Sequence, residues 1–233
     1  MNINVLKTLL KQINAQGSIK THRKGPTGIG KTLEDLLKIK ENNILGPDID
    51  KKIELKSSRI DSVSMLTLFT KNPFPRGANK ILLTKYGYKS KRKIRLETTI
   101  NAKHFNSLRG KKGLKLSFDK NNIYIINSNR NKTGAYWTSA ILKQYFEIKY
   151  HDLLLVKAQT RIVKNNEYFH YKKAYLLKEF SFRKFKGLLK KGSIVADIRI
   201  GAYSTGKSHD HGTAFRIQES KLDQCFSKST TLL

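Results

Sequence analysis

GPDIDKKIELKSSR, residues 46–59, is the stretch on which the reading of the whole chain turns. Ile53 and Leu55 alternate with Glu54 and Lys56, the period-two pattern of a half-buried strand. On such a strand Glu54 and Lys56 share one face, two residues apart. Asp48 stands at the turn entering the hairpin, where its carboxylate can meet that of Glu54 at one hard cation. Carboxylate oxygens hold Mg²⁺, and the cation in turn holds a phosphate. Lys56 then reaches an attacking water or the phosphate itself. Asp50 competes with Asp48 for this role, and the same letters also fit a surface hairpin of solvated charges.

The rest of the chain makes phosphate the relevant partner. With 47 Lys and Arg against 17 Asp and Glu, its 233 residues carry a formal charge of +30. An excess of that size predicts salt-sensitive binding to a polyanion. A Lys-, Asn- and Ile-rich composition contributes, and charge alone does not separate RNA from DNA. Against this background the acids are informative: Glu34, Asp35, Glu41, Asp48, Asp50 and Glu54 are six of the 17. Acids clustered in a phosphate-gripping chain make sense with a divalent cation between carboxylate and phosphate. Glu34 is a candidate third ligand, or else a first-turn Glu favoured by the helix dipole.

Hydrophobic residues make up 38% of the chain, enough for a core. No apolar run approaches the roughly 20 residues of a membrane helix. MNINVLKTLLKQIN at the start reads as an amphipathic helix; Lys7 and Lys11 break the apolar run that a signal peptide needs. The single cysteine, Cys225, excludes an internal disulfide framework and fits a reducing cytosol. A cytoplasmic protein is the expectation.

KGPTGIGKTLEDLL, residues 24–37, matches the P-loop pattern G-x-x-x-x-G-K-[ST]. That pattern cradles phosphates only when a buried strand runs into the loop and a helix leaves it. The helix is present in the pattern, with Leu33, Leu36, Leu37 and Ile39 apolar. The strand is not: GSIKTHRK upstream is short, polar and basic. No nucleotide cofactor is expected.

VADIRIGAYSTGKSHDHGTAFRI, residues 195–217, holds two apolar alternating stretches around a turn-rich linker. A hairpin follows, with Asp197, Arg199, His209, His211 and Arg216 near one end. Arg can bridge guanine O6 and N7, Asp can accept from cytosine N4, and His can donate to guanine or thymine. The His-x-His pair also fits a zinc site or solvated loop histidines. Thr70, Lys71 and Arg76 are candidate phosphate or minor-groove contacts, and Lys24 and Tyr203 further candidate DNA contacts. Tyr86, Tyr88, Tyr136 and Trp137 stack on bases or simply pack.

Pro47-Asp48 followed by Glu54-Leu55-Lys56 is the PD-(D/E)xK pattern of metal-dependent nucleases. The chain moreover resembles the MvaI/BcnI restriction endonucleases, relatives of the MutH mismatch-repair nickase, and is closer to the MvaI side. KTHRKGPTGIGKTLEDLL, PDIDKKIELKSSR, SMLTLFTKNPFPRGAN and ADIRIGAYSTGKSHDHGTAFRI carry the resemblance, in that order. It implies a monomer that cuts double-stranded DNA with Mg²⁺, one strand at a time. It puts Glu34 on the helix after GIGKT and assigns catalysis to Glu34, Asp48, Glu54 and Lys56. It gives residues 196–217 to major-groove base reading on a CC:GG core, in a CC-N-GG-like near-palindrome. A cognate DNA methyltransferase is expected in the same host. A MutH-like nickase and a catalytically inactive basic DNA-binding protein are the alternatives.

The expected fold is α/β, a mixed-sheet PD-(D/E)xK core with two lobes forming a DNA cleft. Residues 1–100 are expected to be mainly catalytic and 101–233 mainly recognising. Helices are predicted over 3–14, 31–41, 77–86, 136–146, 181–190 and 219–225. Strands are predicted near 51–57, 63–70, 93–100, 114–118, 122–127, 152–163, 168–177, 194–201 and 212–217, with SKSTTLL at the end loosely held.

Overall fold

A computed structural model describes residues 2–40, 46–90, 93–203 and 208–233. In chain order the elements begin α1 (Ile3–Ala15), β1 (Ile19–Lys20), α2 (Gly28–Leu36), β2 (Ile53–Arg59), β3 (Met65–Thr70) and α3 (Ala78–Tyr86). Next come β4 (Tyr88–Ser90), β5 (Lys93–Ile100), β6 (Ser107–Leu108), β7 (Lys111–Lys112), β8 (Leu114–Phe118), β9 (Asn122–Asn127) and β10 (Lys132–Thr138). The chain then runs through α4 (Ser139–Lys149), β11 (Asp152–Val163), β12 (Asn166–Lys178), α5 (Phe182–Lys191), β13 (Ile194–Tyr203) and β14 (Ser208–Gln218). A 3₁₀ turn at Glu219–Gln224 and β15 (Lys228–Thr231) finish it. Helices and strands mix as expected.

The chain divides into two compact units that interleave in sequence. The first comprises Met1–Val63, Glu147–Phe180 and Phe226–Leu233; the second comprises Ser64–Phe146 and Ser181–Cys225.

The first unit is built on a mixed sheet ordered β1-β12-β11-β2, with β15 on β12. β11 and β12 form a long antiparallel hairpin whose two-residue turn, Lys164-Asn165, has both φ angles positive (46° and 62°). That is the primed turn whose twist matches the flanking strands. β2 lies parallel to β11, Glu54 opposite Leu153 and Lys56 opposite Leu155. The run Leu153–Val156 is buried throughout, as a strand covered on both faces should be. Leu6, Leu10 and Ile13 of α1 and Ile29 and Leu33 of α2 pack with Ile53, Leu55, Leu154, Phe169 and Tyr171. Ile53 and Leu55 thus turn into the core, which leaves Glu54 and Lys56 on the other face of β2.

The second unit carries an antiparallel sheet ordered β3-β14-β13-β5-β4 and a smaller one ordered β10-β9-β8. Aromatic rings fill its core: Phe69 lies 5.0 Å from Phe215 and 5.2 Å from Phe185, and Trp137 lies 5.4 Å from Phe215. Trp137 satisfies its indole by donating to the Lys71 carbonyl at 2.9 Å.

Several expectations are corrected. The helix predicted from residue 136 begins at Ser139, because Thr133, Ala135 and Trp137 alternate into the core of strand β10. The linker between the two C-terminal strands is largely strand itself, since β13 runs to Tyr203 and β14 starts at Ser208. The helix predicted over 31–41 spans Gly28–Leu36, and the one over 219–225 is a 3₁₀ turn. The C-terminal residues are not loose: Lys228–Thr231 pairs with β12, and Leu232 is buried in the core of the first unit.

Candidate active site

β2 brings the acid and the amine together. Glu54 has no solvent exposure, and its Oε1 lies 2.6 Å from Lys56 Nζ. Asp48 is exposed, but its Oδ2 accepts from the Leu55 N–H at 2.8 Å, which ties it to the strand that carries Glu54. The link comes from a tight turn: Ile49 and Ile53 exchange backbone hydrogen bonds of 2.9 and 3.0 Å, and both are buried. Asp50 sits at the exposed tip of that turn with φ 49°. Asp48 therefore stays at the base of the turn beside Glu54, while Asp50 stands at its tip.

A second cation meets Glu54. Lys149, the last residue of α4, places Nζ 2.8 Å from Glu54 Oε2 and donates to the Gly46 carbonyl at 3.0 Å. Burial pushes the Glu54 carboxyl above its ordinary range; Lys56 opposes this, Asp48 adds to it, and Lys149 opposes it again. Neither Glu54 oxygen has a well-aligned hydrogen bond among the described residues. The pairing is charge on charge, so lone pairs of a buried carboxylate remain for a cation. Two carboxylates and a nearby main-chain carbonyl are hard oxygen donors of the kind Mg²⁺ uses. The residues fit a divalent cation held by Asp48 and Glu54.

Glu34 is placed differently. It lies on α2, and among the described residues no group of three or more His, Cys, Asp or Glu is gathered that could hold a metal. Its Oε1 lies near Gly30 and Ser57, and its charge acts on Tyr171, whose buried hydroxyl donates to the Ile29 carbonyl at 2.7 Å. Ser57 is out of phase with Glu54 and Lys56 on β2, so this is the helix-covered side of the strand.

The P-loop-like segment has its own structural explanation. β1 has two residues and is no buried strand feeding the loop. Gly25 has φ +91°, and a Cβ on Gly28 would lie 2.3 Å from the Arg23 carbonyl oxygen. The glycines let the chain turn and close against itself. Lys31 pairs with Asp35 one helical turn on, at 2.7 Å, and Thr32 caps the segment by accepting from His22 N and donating to Gly28 O.

In the second unit, Asp197 is 7% exposed. Its Oδ1 accepts from Thr99, its cross-strand neighbour on β5, at 3.0 Å. Its Oδ2 accepts from Arg216 Nη1 at 2.9 Å and lies 3.5 Å from Arg199 Nε. Arg216 Nη2 donates to the Met65 carbonyl at 2.8 Å. Asp197 therefore appears as the holder of two arginines, whereas the sequence suggested an acceptor turned toward a base. Asp210, between the two histidines, accepts from Asn79 at 2.8 Å and from the Gly212 N–H at 2.7 Å. His211 is exposed. His209 and Tyr203 belong to strands, but their side chains lie outside the described residues. Thr70 is exposed at the end of β3, where a Cβ on Gly212 would lie 2.6 Å from its methyl group. Lys71 Nζ sits 3.8 Å from the centre of the Tyr145 ring, and Lys24 is exposed.

Lys149, Thr99, Asn79 and Asp210 were not singled out from the sequence. Lysines and asparagines are too common here to stand out, and each acts through a partner far along the chain.

A mixed sheet that presents two carboxylates and a lysine at one strand defines a PD-(D/E)xK nuclease fold. The profile of the MvaI/BcnI restriction endonuclease family matches residues 7–226. A solved structure described as "Restriction endonuclease MvaI-cognate DNA substrate complex" superposes with TM-score 0.88 at 32% identity over all of both chains. "Restriction endonuclease MvaI in the absence of DNA" gives 0.61 at 31% identity, over 100% of this chain and 99% of that one. No curated protein matches the chain. The chain belongs to the MvaI/BcnI restriction endonuclease family, and membership makes it a type II restriction endonuclease. Among the described residues no helix is long and apolar enough to cross a membrane.

Proposed function

We propose that this enzyme hydrolyses double-stranded DNA at a short near-palindromic site with a CC:GG core, as a cytoplasmic Mg²⁺-dependent monomer that nicks the strands in turn. The observation that carries the reading is the β2 constellation, Glu54 buried against Lys56 with Asp48 tied to the same strand. Asp48 and Glu54 would hold the Mg²⁺, which neutralises phosphate charge and acidifies a water when bound. Lys56 offers its ammonium to the attacking water or to the phosphate, and its pairing with Glu54 fixes where that ammonium stands. Glu34, on α2, is the remaining candidate of the catalytic set.

Base reading belongs to the β13–β14 hairpin. The Nε atoms of Arg199 and Arg216 are buried, so the donors left toward a base are those of the terminal nitrogens. A guanidinium held from one side by Asp197 keeps its remaining donors in a fixed fork, which suits guanine O6 and N7. His209 and His211 are the neighbouring candidates, with Thr70, Lys71, Lys24 and Tyr203 for further contacts along the duplex. Protection of the host genome would fall to a cognate methyltransferase.

Digestion of supercoiled plasmid with Mg²⁺ at moderate salt, with the ends sequenced, tests this. One catalytic cluster per monomer predicts open-circular DNA before linear product. A stable dimer in sedimentation without DNA, or linear product with no nicked precursor, would refute the one-strand-at-a-time reading. Cleavage without a common sequence would refute the site.

A further inference from the structure

We propose that Lys149 is a resident counter-cation that competes with the divalent cation for Glu54, holding the carboxylate in the metal-free enzyme and releasing it on loading. The inference rests on reading Asp48 and Glu54 as the cation's ligands, and goes beyond it by assigning a residue outside the PD-(D/E)xK pattern.

The contacts of Lys149 are those of a cation in an oxygen site. Its Nζ reaches one carboxylate oxygen of Glu54 at 2.8 Å and the main-chain oxygen of Gly46 at 3.0 Å. Gly46 precedes Pro47-Asp48, so the ammonium sits where the acid-bearing turn meets the acid-bearing strand. A carboxylate with no solvent exposure is unfavourable without a positive partner. Lys56 supplies one, on the other oxygen. Lys149 answers for Oε2. The two lysines are thus not duplicates. Lys56 shares the strand with Glu54 and is fixed to it, whereas Lys149 arrives from α4 on four flexible methylenes. Its side chain is 20% exposed, which gives the ammonium a way to water once it lets go.

The test uses the full chain without DNA and Mn²⁺ as probe, its binding followed by loss of the free-ion paramagnetic resonance signal. Lys149→Met should bind Mn²⁺ more tightly than the unaltered protein by on the order of tenfold, because no ion pair on Glu54 has to be given up first. Lys51→Met, which removes an exposed charge from the same turn, should change the affinity by less than about twofold. Equal or weaker binding in Lys149→Met, or the same gain in Lys51→Met, would overturn the competition. Should Lys149→Met fail to fold, Lys149→Gln, neutral but still a donor to Gly46, is read the same way. Asp48→Asn separates the two layers. If it abolishes Mn²⁺ binding while Lys149→Met leaves the affinity unchanged, only the role of Lys149 falls. If Mn²⁺ binds Asp48→Asn as before, the cation site itself is misplaced and both readings fall.

Discussion

Replacing Asp197 by alanine separates two roles for an acid in a DNA-facing hairpin. If Asp197 reads a base directly, its loss removes one contact. If it holds Arg216 and Arg199, its loss frees both arginines and leaves Arg216 with the Met65 carbonyl. The stability effect can be sized. Removing one partner of a buried ion pair costs about 3–5 kcal/mol. The Arg216 side chain is 25% exposed, so water recovers part of that, and about 3 kcal/mol is expected. For a chain of this length that lowers the thermal midpoint by roughly 6–12 °C. The binding effect is a matter of discrimination. Each misplaced guanidinium forfeits on the order of 1–3 kcal/mol for the cognate duplex. Random duplex, held through phosphates, should bind as well or better, since a negative charge has gone. Competition on cognate and random duplexes at one fixed salt, with thermal unfolding alongside, measures both. Equal changes on the two duplexes would mean that the arginines Asp197 holds do not read bases. An unchanged midpoint would mean that the pair carries no weight in the fold.

Asp48→Ala, Glu54→Ala and Lys56→Ala should each reduce cleavage by about three decades or more with binding retained, since cation, water and ammonium act as a unit. Asp50→Ala should cleave normally; full activity in Asp48→Ala with loss in Asp50→Ala would move the cation site to the turn tip. Glu54→Gln should raise the stability of the metal-free protein above the carboxylate range and leave it unchanged in acid. A carboxyl whose folded pKa is raised by burial contributes stability below its unfolded pKa and loses it as pH rises through the folded value, whereas glutamine has no proton to lose; parallel denaturation curves at both pH values would contradict this. Lys31→Ala should keep full cleavage without ATP and change stability only slightly, since it removes one solvent-screened helical i, i+4 pair. Nucleotide turnover that vanished in this variant would restore the P-loop reading.

What could be read from the sequence was what alternation or a local pattern encodes. Ile53 and Leu55 against Glu54 and Lys56 fixed the strand, its faces and the pairing of acid with amine. The choice between Asp48 and Asp50 depended on the turn, where the left-handed Asp50-Lys51 pair projects the second acid outward. At Tyr136-Trp137-Thr138, where a helix from residue 136 is the expectation, three strong strand formers and the burial of every second residue decide for strand. Lys149 was out of reach, since nothing in residues 147–149 announces a partner nearly a hundred positions earlier. Asp197 was legible as an unusual acid, but not as a buried one, because Thr99 and Arg216 are brought to it only by pairing with β5 and β14.

The parallel pairing of β2 with β11 also sets an order of events. The acid and the amine are made early, yet the strand that gives them a sheet, and the lysine that covers Glu54, follow roughly a hundred residues later. The final strand then closes against β12. Contacts so distant in sequence form late and slowly. A nascent chain of this nuclease therefore carries Glu54 and Lys56 through the synthesis of roughly a hundred further residues before the strand that seats them in a sheet exists.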